Sequence, residues 1–208
     1  MDKKETTRDS LLQAGLDIFA RYGYAGATTR LIAGQAHANI SAIAYYFDGK
    51  EGLYHAVISH MIEKVKKLAL PLKERLLSQL DKASDDELKT ELEDFLMALT
   101  MITLRPEMKK ISRIMLQEQL NPSSAFKIIY DVFTSNMLAL LINILKKLSP
   151  HQSQDYYVLA AQTLVGQAMV FLIYRGNLTH AFGVDRFDKP HFEMHRHLIR
   201  KTIERFSL

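Results

Sequence analysis

The 208-residue sequence has no cysteine and no tryptophan, and it contains only five prolines and nine glycines. The absence of cysteine excludes disulfide bonds and thiolate metal sites, and it is typical of a reducing compartment. No apolar run approaches the ~18 residues of a membrane-spanning helix, and residues 1–5 lack the apolar core of a signal peptide. We therefore expect a cytoplasmic protein that has no membrane partner.

The net charge of the chain is also small. The 27 Lys and Arg residues exceed the 23 Asp and Glu residues by four, and within residues 1–70 the excess is two. Such a small excess does not by itself indicate a nucleic-acid partner. Only the placement of particular side chains can indicate one.

Apolar residues recur at the 3.6-residue spacing of amphipathic helices along nearly the whole chain, and no stretch alternates as a β-strand does. We predict an all-α fold of nine or ten helices. The first helix is predicted to begin at Thr6 or Thr7 and to end at Gly23, and Pro71 is predicted to bend or restart the fourth. Later helices are predicted at about 84–104, where Ser84 and Glu87 form a capping box, from 106, and at 122–148, 150–175 and 189–206. Gly176 and Asn177 are predicted to end the helix at 150–175, and the stretch from there to residue 188 is predicted to be irregular.

We predict two domains. Residues 1–50 form a helix-turn-helix domain, a connecting helix spans 50–69, and residues 70–208 form a larger effector-binding and dimerisation domain.

Residues 28–47 have the pattern of two short helices joined by a tight turn. Asn39 is a suitable N-cap for the second helix, and Ile43 and Phe47 are its predicted buried face. This pattern predicts a helix-turn-helix, which places its second helix in a DNA major groove.

Polar residues in and beside this segment suit a DNA partner. Arg30 can donate two hydrogen bonds to guanine O6 and N7, the alternative being a solvated surface arginine. Lys50 opposes the dipole at the start of its helix, which indicates an external anion unless it is a plain surface lysine. Tyr45 and Tyr46 offer hydroxyls to phosphates, although burial is an equal alternative for one of them. The predicted DNA contacts are Thr28, Thr29, Arg30, Asn39, Ser41, Ala42, Ala44, Tyr45, Tyr46 and Lys50.

Three segments resemble the TetR family of transcriptional regulators: Phe19-Ala20-Arg21-Tyr22-Gly23, Thr28-Thr29-Arg30-Leu31-Ile32-Ala33, and residues 45–53. The resemblance covers about residues 5–65. It implies a homodimer whose N-terminal domains bind palindromic double-stranded operator DNA and whose C-terminal domains bind a small-molecule inducer. It also implies DNA contacts at Thr29, Arg30, Ala42, Tyr45, Tyr46 and Lys50.

Two positions depart from the family pattern. His37 stands where the turn usually has glycine, and Ala44 stands where an aromatic residue commonly contacts DNA. Further along, residues 118–122 with Ala125-Phe126, and residues 164–167 with Phe171, resemble the CecR-like subgroup.

Adaptable methionines and polar residues among apolar neighbours suggest an effector pocket in the C-terminal part. For each methionine the alternative is plain core, and Glu118 can instead face solvent or pair with Arg113 or Lys110. The effector's identity stays open. The predicted ligand contacts are Met101, Met115, Glu118, Gln119, Phe133, Gln167 and Phe171.

Two long C-terminal helices carry apolar faces, which include Leu198 and can form a four-helix dimer interface. The predicted interface residues are Leu159, Thr163, Gln167, Val170, His195, Ile199 and Ile203.

No catalytic or metal constellation is predicted. His191 and His195 have the i, i+4 spacing of zinc ligands, with Glu193 and His197 nearby, but a surface or interface role is favoured. The sequence has no phosphate-binding glycine loop, no Cys-His pair and no nucleophile elbow. We therefore predict a DNA-binding regulator, in the form of a ligand-released repressor, with no cofactor and no enzymatic activity. The alternative is a helical small-molecule binder or enzyme with a vestigial helix-turn-helix.

Overall fold

A computed structural model describes residues 3–206 of the chain, and the side chains of residues 6–206. All regular structure within this range is helical, which confirms the predicted all-α class. The α-helices are α1 Lys3–Gly26, α2 Thr29–Gln35, α3 Ser41–Phe47, α4 Lys50–Leu80, α5 Asp85–Thr103, α6 Lys109–Leu120, α7 Ala125–Ile129, α8 Ser135–Leu148, α9 Gln154–Ala168, α10 Val170–Ile173, α11 Arg175–Phe182 and α12 Lys189–Phe206.

The chain forms two compact units. Unit 1 comprises Met1–Lys66 and Pro106–Thr134, and unit 2 comprises Lys67–Arg105 and Ser135–Leu208. The first boundary between these units lies inside α4. α6, which falls within the predicted C-terminal domain of residues 70–208, packs against α1 in unit 1.

Unit 1 is built around α1, which packs against α2, α3 and α6. Its core includes Leu11, Phe19, Ile32, Ile43 and Leu53, all at most 1% exposed. Asp17 on α1 accepts hydrogen bonds from Gln35 on α2, at 3.2 Å, and from Lys110 on α6. One carboxylate therefore links three helices of the unit.

Unit 2 is built around α5, which packs against α8, α9, α10 and α12. The predicted capping box begins α5: the Ser84 hydroxyl accepts from the Glu87 amide, and the Glu87 carboxylate accepts from the Ser84 amide at 2.9 Å. Glu93 on α5 is 1% exposed, and its carboxylate accepts hydrogen bonds from Arg196 and Arg200 of α12. Burial of a charge on α5 is thus offset by two guanidinium groups from α12.

Several predicted helix ends were wrong. Thr6 and Thr7 lie inside α1, which already begins at Lys3. Gly23 does interrupt the helix, with φ 69°, but helical structure resumes to Gly26. α4 continues through Pro71 to Leu80.

The predicted long helices of the C-terminal half are divided. A π-helical turn at Tyr130–Thr134 separates α7 from α8, and Pro122 precedes the helix by three residues. α9 begins at Gln154 because the Ser153 side chain accepts from the Tyr156 amide. Gly176 and Asn177 lie within α11, which ends at Gly183 in the left-handed conformation with φ 67°.

One described stretch, Ala125–Leu148, is long and apolar enough to cross a membrane by length and composition alone. This contradicts the expectation that no run of the sequence reaches that length. A core helix of a soluble protein satisfies the same two criteria, and α8 places Leu140, Leu141, Ile144 and Leu145 in the core of unit 2.

Candidate nucleic-acid interface and ligand cavity

The second short helix of the predicted helix-turn-helix, α3, is fixed to unit 1 by its apolar side. Ile43 and Phe47 are 1% and 8% exposed, as predicted from the sequence. The opposite side presents Ser41, Ala44 and Tyr45 to solvent, and Tyr45 is 70% exposed. α3 is therefore buried on one face and open on the other.

Asn39 caps α3 as predicted. Its Oδ1 accepts from the Ser41 amide and the Ser41 hydroxyl, each at 2.9 Å. Ile40 already has helical dihedral angles, with φ −58° and ψ −32°, so Asn39 occupies the capping position. His37 in the preceding turn has φ 50°, the left-handed conformation that glycine usually supplies.

The end of α3 is set by a turn that the sequence analysis did not single out. Asp48 and Gly49 have φ 58° and 102°. A Cβ atom at Gly52 would lie 1.7 Å from the carbonyl oxygen of Phe47. Gly52 therefore lets the start of α4 approach the end of α3 more closely than any side chain would allow.

The predicted polar contacts of α2 and α4 have different surroundings. Thr28 caps α2, since its hydroxyl accepts from the Leu31 amide at 3.2 Å, and Thr29 is half-buried. Arg30 is exposed. The Lys50 ammonium lies 4.5 Å from the ring centre of Tyr24, so it has an aromatic partner within the unit.

An open groove of about 760 Å³ runs between the start of α1 and α3. Hydroxyl groups dominate its lining, and no carboxylate lines it among residues 6–206, whose side chains the structure describes. Tyr46 is half-buried there, with its ring centre 4.8 Å from that of Tyr45, and Ala42 is half-buried beside it. The lining residues are Thr6, Thr7, Ser10, Ala36, His37, Ala38, Asn39, Ser41, Ala42, Tyr45 and Tyr46.

Arg8 is a further cation at this surface that the sequence analysis missed. Its guanidinium carbon lies 5.4 Å from the ring centre of Phe47, at the end of α3. Its position one turn after the start of α1 was visible in the sequence, but its proximity to α3 depends on the tertiary fold.

Unit 2 contains a separate cavity of about 700 Å³ between α4, α5 and the start of α12. Phe95, Met97 and Met101 of α5 and Phe192 of α12 supply apolar walls. Arg75 crosses its rim with hydrogen bonds of 2.7 and 2.8 Å to Glu91, and Arg196 donates to Asp94 at 2.6 Å. The cavity is thus apolar inside, with charged groups that are already paired with one another.

Comparison with known proteins identifies the architecture. Residues 11–57 match the family model described as bacterial regulatory proteins of the tetR family. Residues 88–208 match the C-terminal domain of the HTH-type transcriptional dual regulator CecR. The second match covers more than half of the chain. The chain belongs to the TetR family of transcriptional regulators.

One relative matches nearly the whole chain, and another matches less than half of it. The HTH-type transcriptional dual regulator CecR of Shigella flexneri is 29% identical over 209 residues, covering 97% of this chain and 89% of its own. The HTH-type transcriptional repressor NicS of Pseudomonas putida is 29% identical over 92 residues, covering 44% and 41% of the two chains. The TetR-type match spans α1 to the first part of α4, which includes the whole helix-turn-helix.

Solved structures share the fold at low identity. AibR, in a complex with isovaleryl coenzyme A and operator DNA, superimposes with a TM-score of 0.63 at 14% identity, covering 93% and 96% of the chains. HlyIIR, a hemolysin II transcriptional regulator, has a TM-score of 0.59 at 18% identity and 99% coverage of both chains. The TetR-family architecture is therefore supported by structure as well as by sequence.

The predicted effector residues do not line one cavity within either unit of this TetR-family chain. Met115, Glu118, Gln119 and Phe133 belong to unit 1, whereas Met101, Gln167 and Phe171 belong to unit 2. Met101 lines the unit 2 cavity, and Phe171 is buried behind it with its ring centre 4.5 Å from that of Phe187. Gln167 instead donates to the Thr202 hydroxyl at 2.8 Å.

Glu118 is buried as expected, but protein groups satisfy it. Tyr54 donates its hydroxyl to the carboxylate at 2.6 Å, and the Ser123 amide and hydroxyl donate at 3.0 and 2.8 Å. Burial, and then the hydrogen bond to Glu118, raises the pKa of Tyr54 well above its ordinary range. Glu118 therefore joins the end of α6 to α4 within unit 1, and its contact with a ligand stays a prediction.

Three of the predicted dimer residues are corrected. His195, Ile199 and Ile203 are 6%, 0% and 1% exposed, because this face of α12 packs into the core of unit 2. Leu159 and Thr163 are exposed on α9, and Gln167 and Val170 are half-buried. Leu198 and Met194 of α12 are 54% and 58% exposed, and of these two the prediction omitted only Met194.

The histidines near the start of α12 have ordinary partners. His191 Nδ1 contacts Asp188, and its ring stacks on Phe182 at 4.7 Å. Within residues 3–206, no group of three His, Cys, Asp or Glu side chains is arranged to hold a metal ion.

Proposed function

We propose that this protein is a DNA-binding transcriptional regulator that acts as a homodimer on a palindromic operator and is released by a small-molecule effector. The observation that carries the proposal is the open face of α3 beside a groove lined largely by hydroxyl-bearing side chains, together with the exposed guanidinium of Arg30 on α2. Hydroxyl and guanidinium groups contact phosphates and base edges. The family assignment favours a regulator over an enzyme, and a regulator of this kind works in the cytoplasm.

Repression is the proposed sign of regulation. The name of NicS, a repressor, supports it, whereas the name of CecR describes a dual regulator. A reporter gene placed behind the selected operator distinguishes the two, because a repressor lowers expression and an activator raises it.

Operator binding is tested by selecting sites from random duplexes and measuring affinity against a scrambled duplex. Arg30→Ala is expected to weaken operator binding by about 1–3 kcal/mol and to relax base preference, because Arg30 offers two donors to a guanine. Lys50→Ala is expected to weaken all duplexes about equally and to reduce the salt dependence, as loss of a phosphate contact does. Arg113→Ala, an exposed arginine on α6, is the matched control. Equal binding of operator and scrambled DNA by the parent protein, with tight metabolite binding, favours the alternative of a vestigial helix-turn-helix.

The effector is proposed to bind in the unit 2 cavity, as a largely apolar molecule. Apolar walls with a few polar groups at the rim are typical of small-molecule sites. Release from DNA requires that the ligand bind the non-operator conformation more tightly.

A metabolite panel that includes isovaleryl coenzyme A, the ligand named for AibR, tests this site by thermal shift. Ala98→Phe fills the cavity wall and is expected to abolish the shift produced by any active compound while operator affinity is kept. Ala139→Phe, at an exposed position of α8, is the control. A shift that survives in Ala98→Phe places the effector elsewhere.

A further inference from the structure

The exposed arc of the recognition helix carries two hydroxyl groups but no side chain that can pair with a base through two hydrogen bonds. Ile43 and Phe47 are buried, whereas Ile40 just before α3 and Ser41, Ala44 and Tyr45 within it are exposed, and these four residues form the exposed arc. Arg, Lys, Asn and Gln are the residues that read guanine or adenine with two hydrogen bonds, and none of them lies on this arc. The helix therefore lacks the side chains on which direct reading of purines usually depends.

The nearest amide, Asn39, is already occupied. Reading adenine requires the Asn oxygen to accept from N6 while its nitrogen donates to N7. Asn39 Oδ1 instead accepts from both the amide and the hydroxyl of Ser41, at 2.9 Å each. A contact of Asn39 to adenine through two hydrogen bonds would break the cap of α3. The cap also engages the hydroxyl of Ser41, which lies at the start of the exposed arc.

The first residue of helical conformation after the cap is a large apolar one. Ile40 is 50% exposed, although β-branched aliphatic side chains are normally buried. Residues at the start of a recognition helix are those that reach base edges. Ala44 lies four residues later on the same face, and its small side chain allows close approach of the groove.

We propose that α3 selects its operator through the C5-methyl groups of thymine, contacted by Ile40 at the start of the exposed arc. The thymine methyl is the one apolar group on the major-groove edges of the bases. Contact with Ile40 removes both apolar surfaces from water. Guanine reading is left to Arg30 on α2. The inference rests on the proposed binding of double-stranded DNA and deepens it by naming the base feature that is read.

The test uses the operator selected by the full-length protein from random duplexes. Each thymine of one half-site is replaced singly by deoxyuridine, which removes the methyl group and keeps base pairing. Fluorescence anisotropy at fixed salt is expected to give about fourfold weaker binding at one or more positions, the value of one buried methyl-sized group. Ile40→Ala is expected to bind the thymine and uracil duplexes equally at that position. Leu120→Ala, an exposed leucine on α6, should keep the difference.

The outcomes separate this inference from the proposed function. If a site is selected but no uracil substitution weakens binding, or if Ile40→Ala keeps the full uracil penalty, thymine-methyl reading by Ile40 is overturned while DNA binding stands. If no site is enriched over scrambled DNA, the proposed function fails, and this inference falls with it. Circular dichroism of Ile40→Ala confirms that the helices are retained.

Discussion

His195 has a different environment in the structure from the one that its spacing in the sequence predicted. Its spacing with Ile199 and Ile203 indicated an interface face, but the side chain is buried within unit 2. Its ring centre lies 5.0 Å from that of Phe171, and Nε2 lies 3.4 Å from the Thr100 hydroxyl. Apolar spacing shows which face of a helix is buried, but not whether the same chain or a second copy covers it.

The burial of His195 leads to a pH-dependent stability. Desolvation lowers the pKa of its imidazole below the ordinary value of 6.5, so the folded protein resists a proton that the unfolded chain accepts. Stability is therefore expected to fall as the pH drops below 6.5, by at most about 1.4 kcal/mol per pH unit from this group. Urea unfolding of the parent and of His195→Gln between pH 7.5 and 5.5 measures the difference in slope.

His197→Gln, an exposed histidine on the same helix, is the control for this pH series. It should leave the slope of the parent unchanged, whereas His195→Gln should flatten it. Parallel slopes for the parent and His195→Gln would contradict the assignment.

For single helices, the sequence predicted the ends that depend on bonds within one turn of chain. It did not predict the ends that depend on contacts with other helices. The capping box at Ser84 and the start near Pro190 follow from bonds and dihedral limits within one turn of chain, and both ends lie where the sequence indicates. The start at Pro150 was wrong because His151 adopts φ 71° and Tyr157 donates its hydroxyl to the Ser149 carbonyl at 2.8 Å. That hydroxyl arrives from the next helix, so the local pattern could not reveal it.

The candidate site likewise has features that the local sequence predicts and features that depend on how the helices pack. The buried face of α3 follows from the helical spacing of Ile43 and Phe47, and the cap follows from the presence of Asn39 at the helix start. The unit 2 cavity combines residues from about 72 to 196, and its walls depend on helix packing that periodicity does not encode. The sequence analysis did not single out Glu93, which is nearly fully buried in the structure.

The Glu93 cluster is expected to stabilise the packing of α5 on α12. Arg200 donates to Glu93 at 2.5 and 3.0 Å, and Arg196 at 2.9 Å. Glu93→Gln removes the charged acceptor of these donors, so the free energy of unfolding should fall by about 1–3 kcal/mol. The arginines can turn to solvent, which keeps the loss below that of a fully buried pair. Urea unfolding at fixed protein concentration measures the change.

An exposed ion pair within α12 provides the comparison. Glu204 contacts Lys201 at 3.1 Å, and Glu204→Gln should cost less than about 1 kcal/mol because solvent screens the pair. If the two variants lose the same stability, burial of Glu93 does not strengthen its ion pairs.

For the whole molecule, the chain forms two compact units, and each contains one of the two candidate sites. Unit 1 carries the helix-turn-helix and the groove beside it, whereas unit 2 carries the cavity. The inclusion of α6 in unit 1 matters, because Lys110 and Glu118 bond it to α1 and α4. Any effector-driven change that reaches α6 would therefore act directly on the helices that support α3.

Dimerisation through unit 2 is the remaining requirement of the proposed function, and the exposed side of α9 and α12 is the surface that fits it. These helices pack together, and they leave Leu159 and Leu198 68% and 54% exposed.

A charge at the centre of an isologous interface is repeated across the two-fold axis, so each substitution disrupts the contact twice. Leu198→Glu is expected to shift sedimentation-equilibrium mass from dimer to monomer and to weaken operator binding, because a monomer contacts one half-site. Leu120→Glu changes a leucine that is 71% exposed on α6 and should leave the mass unchanged. If Leu198→Glu stays dimeric while Leu120→Glu does not, the subunits associate through unit 1, and the two recognition helices are held together without unit 2.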